Sequence, residues 1–205
     1  MVGRPSRARE TRRTILDGAA DLFGKRGYRA SSMNEIAAAV GLSKPTLYHY
    51  FHNKEEILVR LYDEVMVDAV ESATHVAETV ADPLEALHAM LAQRVQSTCE
   101  RLSMYKVFFE EEAELPPDLI ESVIEQRRVY EGILRAQVER FLEETAAPTL
   151  ADLDVTIFVN ACLGSANWVY KWYSEDGRFT PAELGDTMAS LVLTPLTNAR
   201  AQVHT

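Results

Sequence analysis

The chain has 205 residues, 47% of them hydrophobic, and a formal net charge of −10, enough for one small unit and one larger core. No long uninterrupted apolar run and no leader pattern at its start are present, which argues against a membrane-spanning or secreted protein and makes the cytoplasm the expected compartment. Cys99 and Cys162 belong to neither a CxxC motif nor a histidine cluster, so a disulfide or zinc framework has no support and both read as packing residues.

The first predicted helix covers residues 9–25, with Ile15, Ala19, Leu22 and Phe23 inward. Ser32 and Glu35 then stand at capping-box spacing: the serine oxygen can accept from a backbone N–H while the glutamate reaches back to the cap. Ile36, Ala37 and Val40 recur at helical spacing, and Gly41 supplies the left-handed backbone that ends the helix. Ser43 caps a third helix, in which Pro45 is tolerated because first-turn N–H groups have no intrahelical partner. Leu47 and Phe51 form its buried edge, whereas Lys44, Thr46, Tyr48 and His49 line the other. A short helix that presents its N-terminal residues outward is what a DNA major groove admits, so the segment reads as a helix-turn-helix.

Charge divides the chain in the same place. Residues 1–54 carry 10 Lys and Arg against 4 Asp and Glu, a net +6, while 55–205 carry 11 against 27, a net −16. Lysine and arginine bind DNA largely by releasing counterions from phosphates, and an acidic body discourages nonspecific wrapping. The run Arg4, Arg7, Arg9, Arg12, Arg13 would by itself read as a solvated tail; beside a helix-turn-helix it reads as phosphate-facing.

Beyond residue 54 the sequence is helical almost throughout, broken by Pro83, Pro116–Pro117, Pro148, Gly177 and Pro181, and no β-alternation competes. Ile57, Leu58, Leu61, Val65 and Val70 stripe a long helix capped by Asn53, and Leu84, Leu87, Leu91 and Val95 stripe the next. Helices over 104–112, 117 to about 144, about 151–174 and 181 to about 201 complete the count. The expectation is an all-α chain of about nine helices in two domains, a DNA-binding domain at 1–54 and a ligand-binding and dimerisation domain at 55–205. The acidic run Glu110–Glu112 reads as a solvated helix face or, alternatively, as a repulsive edge that keeps anionic ligands oriented.

In the segment 154–173, Trp168 and Trp172 are spaced one α-turn apart, as are Asn167 and Lys171. Gly164, Ser165 and Ala166 are small enough for another helix to approach closely. The tryptophans read either as core and interface or as a ligand wall. No enzyme is indicated. Ser103 and Lys106 have SxxK spacing without its companion motifs, and His49 and His52 lack an acidic third ligand, so neither a catalytic site, a cofactor nor a metal is expected.

The blocks Phe23-Gly-Lys-Arg-Gly-Tyr28, Met33-Asn-Glu-Ile-Ala37, Val40-Gly-Leu-Ser-Lys44, Leu47-Tyr-His-Tyr-Phe51 and Asn53-Lys-Glu-Glu-Ile57 resemble, densely and in order, the DNA-binding domain of TetR-type transcriptional regulators. The resemblance implies that Ser32, Lys44, Pro45, Thr46, Tyr48, His49, Tyr50 and Lys54 meet double-stranded DNA. Within that set Ser32, Tyr48, His49 and Lys54 hold the backbone, and Lys44 and Thr46 face base edges. Pro45 departs from the glycine of many relatives and removes one backbone N–H at the tip. The resemblance further implies a homodimer through the last two helices, with Phe158, Ala161, Ser165, Leu191, Leu193 and Leu196 at the interface.

The sequences Asn167-Trp-Val-Tyr-Lys-Trp-Tyr173, Gly177-Arg-Phe-Thr-Pro-Ala-Glu183 and Arg127-Arg-Val-Tyr-Glu131 are similar to the acyl-CoA-responsive regulators of fatty-acid and sterol catabolism within that family. This implies a repressor released by a lipophilic effector, an acyl-CoA thioester, with Arg127, Arg128, Asn167, Trp168, Lys171, Trp172 and Arg178 as its binding residues. Such a ligand asks for an apolar tunnel and a cationic, aromatic mouth. The linker 143–148 lacks the glycines expected there. Two other readings stay open: a multidrug or aromatic-ligand sensor controlling an efflux gene, and a helical ligand-binding protein without specific DNA binding.

Overall fold

The computed structural model describes residues 7–203, which form ten α-helices with no strand among the described residues. In order these are α1 (Arg7–Arg26), α2 (Met33–Ala39), α3 (Lys44–Tyr50), α4 (Lys54–Thr79), α5 (Pro83–Glu100), α6 (Leu102–Glu110), α7 (Pro117–Thr145), α8 (Val155–Asn167), α9 (Pro181–Val192) and α10 (Thr194–Val203). The chain divides into two compact units, Met1–Met66 with Ser103–Ile124, and Val67–Leu102 with Glu125–Thr205. The first unit is therefore not one continuous stretch of sequence.

In the first unit, Ile15, Leu16, Ala19, Ala20 and Phe23 of α1 are buried, as are Ile36, Ala37, Leu47, Phe51, Ile57, Leu58 and Leu61. Tyr62 packs against Phe108 at 4.9 Å between ring centroids and donates its hydroxyl to the Val107 carbonyl at 3.2 Å, which fixes α6 to α4. The core of the second unit takes Leu87, Met90 and Leu91 from α5, Leu134, Val138 and Phe141 from α7, Val159 and Leu163 from α8, Ala189 from α9, and Leu196 from α10. Gly185 allows α9 and α5 to cross closely, since a β-carbon there would stand 2.5 Å from the Ala92 carbonyl oxygen. Cys99 and Cys162 are buried and free, and burial pushes both thiols up to about 11, as packing residues would be.

Several boundaries differ from those expected. The helix expected over about 151–174 is shorter, because the Asp154 carboxylate accepts from the Ile157 N–H at 3.0 Å and sets the start at Val155. Its end tightens into a 3-10 turn over Trp168–Lys171, with the Trp172 N–H donating to the Val169 carbonyl at 3.2 Å. In 3-10 geometry residues i and i+3 align, so Trp168 shares an edge with Lys171 where α-spacing had paired it with Trp172. The single final helix expected over 181–201 is two helices, divided at Leu193; Pro195 has no N–H and its ring crowds the carbonyl one turn earlier. In the glycine-free linker, Ala146 adopts φ +47°, a left-handed backbone that an alanine rarely takes.

Candidate nucleic-acid interface and effector site

The α2–turn–α3 segment has the local chemistry its sequence anticipates. The Glu35 N–H donates to Ser32 Oγ at 3.3 Å, while the Ser32 N–H donates to Glu35 Oε2 at 2.9 Å, completing the capping box. Hydrogen bonds from the Ser32 side chain and backbone, with Arg26 at 2.8 Å, hold the Glu35 carboxyl below its usual value. Gly41 turns the chain at φ +66°. Ser43 Oγ then accepts from the Thr46 N–H at 3.3 Å and lies 2.7 Å from Thr46 Oγ1, so the start of α3 is fixed while Leu47 anchors it from beneath. Lys44, Pro45, Tyr48 and His49 are exposed, and Thr46 and Tyr50 are half-buried. The Lys44 ammonium stands 5.8 Å from the Tyr48 ring centre, and the His49 and Tyr50 rings meet edge to face at 5.3 Å. Ser32 is exposed at the start of α2. Arg7, Arg9, Arg12 and Arg13 lie on exposed positions of α1, with the Arg12 guanidinium 5.8 Å from the Phe51 ring centre, whereas Arg4 lies outside the described residues.

Lys54 is placed differently from a side chain extended toward solvent. Its ammonium donates to the carbonyls of Tyr28, Arg29 and Ser31 at 2.9, 3.3 and 3.1 Å and sits 4.3 Å from the Tyr28 ring centre. An ammonium has three protons, so these carbonyls use all of them. The same turn is gripped from the end of α6: the Tyr28 N–H donates to Glu111 Oε1 at 3.0 Å, Arg29 pairs with Glu114 at 2.7 Å, and Lys106 donates to the Gly24 carbonyl at 2.7 Å. Glu111 is thus a clamp on the turn before α2 and not part of a merely solvated face. Burial, with Glu55, Glu114 and Glu111 nearby, raises the Tyr28 phenol above its ordinary value.

Of the residues expected to bind an effector, Asn167, Trp168, Lys171 and Trp172 fall together at the end of α8. Trp168 is 59% and Trp172 51% exposed, so neither belongs to the core. The Lys171 ammonium lies 5.1 Å from the Tyr170 ring centre and 6.0 Å from that of Trp168. Asn167 is half-buried and its side-chain oxygen accepts from Arg94 Nε at 3.1 Å. Of the α7 arginines, Arg127 is half-buried and Arg128 is exposed and pairs with Glu125 at 3.5 Å, the i, i+3 pairing of an ordinary helix surface. The exposed Arg178 lies over the ring of its neighbour Phe179 at 4.4 Å. Leu193 and Leu196, expected at the dimer interface, are instead in the core: with Ala189 they recur at i, i+4 and i+7 on the face that packs inward. The outward apolar positions are Ile157, 69% exposed, and Leu191, 66% exposed, and a β-carbon on Gly164 would meet open space.

Compared with known proteins, residues 15–61 match "Bacterial regulatory proteins, tetR family", and residues 80–196 match "Tetracyclin repressor-like, C-terminal domain". The chain belongs to the TetR family. Among curated TetR-type relatives it is 25% identical over 206 residues to the HTH-type transcriptional repressor KstR2 of Mycolicibacterium smegmatis, covering 98% of this chain and 97% of that protein. Among solved structures it resembles the TetR-family regulator PfmR from Thermus thermophilus, at 31% identity and TM-score 0.79, over 88% of this chain and 97% of that one. It also resembles AibR in complex with isovaleryl coenzyme A and operator DNA, at 29% identity and TM-score 0.71, over 88% and 96% of the two chains.

Two residues of this TetR-family chain escaped the sequence reading. Glu111 contacts a turn 83 positions away, and nothing local signals that pairing. Arg94 was findable. It lies three residues after Leu91 and next to Val95, on the apolar stripe of α5, and only 7% of it is exposed.

Proposed function

We propose that this protein is a homodimeric transcriptional repressor that leaves its operator when an acyl-CoA thioester occupies the C-terminal domain. Residues 1–54 act as the DNA-binding head and 55–205 as the ligand-binding and dimerisation domain, and the protein works in the cytoplasm, where its operator is. The observation that carries the reading is the row of exposed Lys44, Pro45, Tyr48 and His49 with half-buried Thr46 among them, fixed from below by buried Leu47 and from its start by the Ser43 cap. Lys44 and Thr46 face base edges; Ser32, Tyr48, His49 and Tyr50 line the sugar-phosphate backbone, and Lys54 serves the same surface by holding the turn before α2. Dimerisation uses the outward positions of α8 and α9, where Ile157, Ala161, Gly164 and Leu191 are exposed and suit a close, self-complementary helix contact.

The effector assignment is supported by the exposed tryptophans beside Lys171 at the end of α8 and by two relatives, one named a repressor and one solved with isovaleryl coenzyme A and operator DNA. Arg127, Arg128, Lys171 and Arg178 supply the cationic groups and Trp168 and Trp172 the aromatic ones that phosphates and adenine require, with the Asn167 amide as a neutral polar partner. The ligand acts only through its preference for the released conformation, roughly 5.5 kcal/mol for a full swing from 1:99 to 99:1. The test is release of a labelled upstream DNA fragment by acyl-CoAs, free CoA, free fatty acids and cationic dyes. Release by thioesters, weakened in Trp172→Ala and Lys171→Ala, is expected; release by dyes with no response to any thioester contradicts the assignment.

A further inference from the structure

Arg94 is only 7% exposed, and it approaches the effector residues from a separate helix. Its Nε–H donates to Asn167 Oδ1 at 3.1 Å, and its guanidinium lies 5.6 Å from the Tyr130 ring centre, so α5, α7 and α8 meet at one polar point. Val95, Cys99, Ala166 and Val169 make an apolar cluster beside it. A guanidinium donates hydrogen bonds and accepts none. The Asn167 amide therefore has only one orientation: oxygen toward Arg94, nitrogen away. That nitrogen makes no hydrogen bond to a described residue and is not among the buried polar atoms left without partners.

We infer that Arg94 is a positioning residue that turns the Asn167 amide into a fixed hydrogen-bond donor, so that the site at the end of α8 selects an effector carrying an acceptor oxygen (a thioester or amide carbonyl, a carboxylate or a phosphate) and disfavours a cation. The inference rests on the effector site proposed above and specifies its polarity. Apolar neighbours strengthen the effect, because a hydrogen bond made at low dielectric is worth more than one in water. An amide free to rotate would serve donors and acceptors alike; one locked by a donor-only partner cannot.

The decisive substitution is Asn167→Asp. It keeps the shape and gives Arg94 a carboxylate to hold, so folding and DNA binding persist, but the outward atom becomes an acceptor. Binding is read directly from the fluorescence of Trp168 and Trp172, the chain's 2 tryptophans, and separately from DNA release, with isovaleryl-CoA, octanoyl-CoA and rhodamine 6G as probes. Asn167→Asp is expected to raise the thioester concentration for half-saturation at least tenfold with the melting temperature held or raised, and to improve binding of the cation. Arg94→Lys, still donor-only, should keep the wild-type preference for thioester over cation, and Arg94→Gln, which lets the amide turn, should erode it. Equal thioester binding by wild type and Asn167→Asp overturns the inference and leaves the proposed function standing. Wild-type protein that binds rhodamine 6G and no thioester overturns both.

Discussion

Replacing Lys54 by methionine removes the ammonium and keeps the stem over Tyr28. A net hydrogen bond to a charged group contributes about 1.5–3 kcal/mol when buried, but Lys54 is half-buried and water can reach the freed carbonyls, so the three bonds together are expected to contribute about 2 kcal/mol. For a chain of this size that is a fall in melting temperature of about 4–8 °C. DNA affinity should fall too, since the turn that sets Ser32 and α2 loosens. The dependence of affinity on salt separates this from a direct phosphate contact. Each phosphate neutralised adds about 0.9 to the slope of log K against log salt, so two heads that lost a direct contact would lose about 1.8, whereas loss of a positioning group leaves the slope unchanged. Thermal melting and anisotropy titrations between about 50 and 200 mM salt measure both quantities. An unaltered melting temperature with a slope shallower by about 1.8 would refute the carbonyl-holding role and make Lys54 a phosphate ligand.

Ala146→Gly should stabilise the protein by about 0.5–1 kcal/mol, because relief of a left-handed alanine outweighs glycine's extra freedom in the unfolded chain; destabilisation in a denaturant melt counts against it. Gly41→Ala, at φ +66° with open space around it, should do the reverse by about 1 kcal/mol and weaken DNA binding in step. Gly185→Ala should destabilise by about 1–3 kcal/mol, since its β-carbon meets backbone in α5, and a neutral melt would mean the two helices part easily. Because the Glu35 carboxyl is lowered when folded, its stabilisation is complete above the ordinary value of 4.5 and is lost as pH falls through the lowered one; Glu35→Gln should flatten that acid limb in melts from pH 7 to 3, and an unchanged limb would show that the capping box is not what titrates.

What the sequence disclosed was mostly local. The Ser32–Glu35 box, the Gly41 turn, the Ser43 cap and the buried Leu47 each depend on residues within about one turn, so spacing was sufficient to read them. The Lys54 grip closes over 23 to 26 positions, and no pattern of neighbours announces it. Leu193 and Leu196 show a related limit: a leucine stripe says that a face is buried, not whether its own core or a second copy buries it. At Trp168 the spacing was sound but its period was not, since the α-helix gives way to a 3-10 turn there and the aromatic is paired with Lys171. Arg94 was overlooked because an arginine on an apolar stripe is ordinarily assigned to solvent, whereas here its head is held by Asn167 and Tyr130.

The central claim is that the outward row of α3 reads DNA, and titration of the wild-type protein and its Thr46→Ala variant against the upstream duplex tests it most directly. The account predicts a dimer on the duplex, steep weakening with salt, and for Thr46→Ala a loss of about 1 kcal/mol or slightly more confined to one base position. No complex with the wild-type protein at low salt, or a variant that binds every sequence as the wild type does, would contradict it.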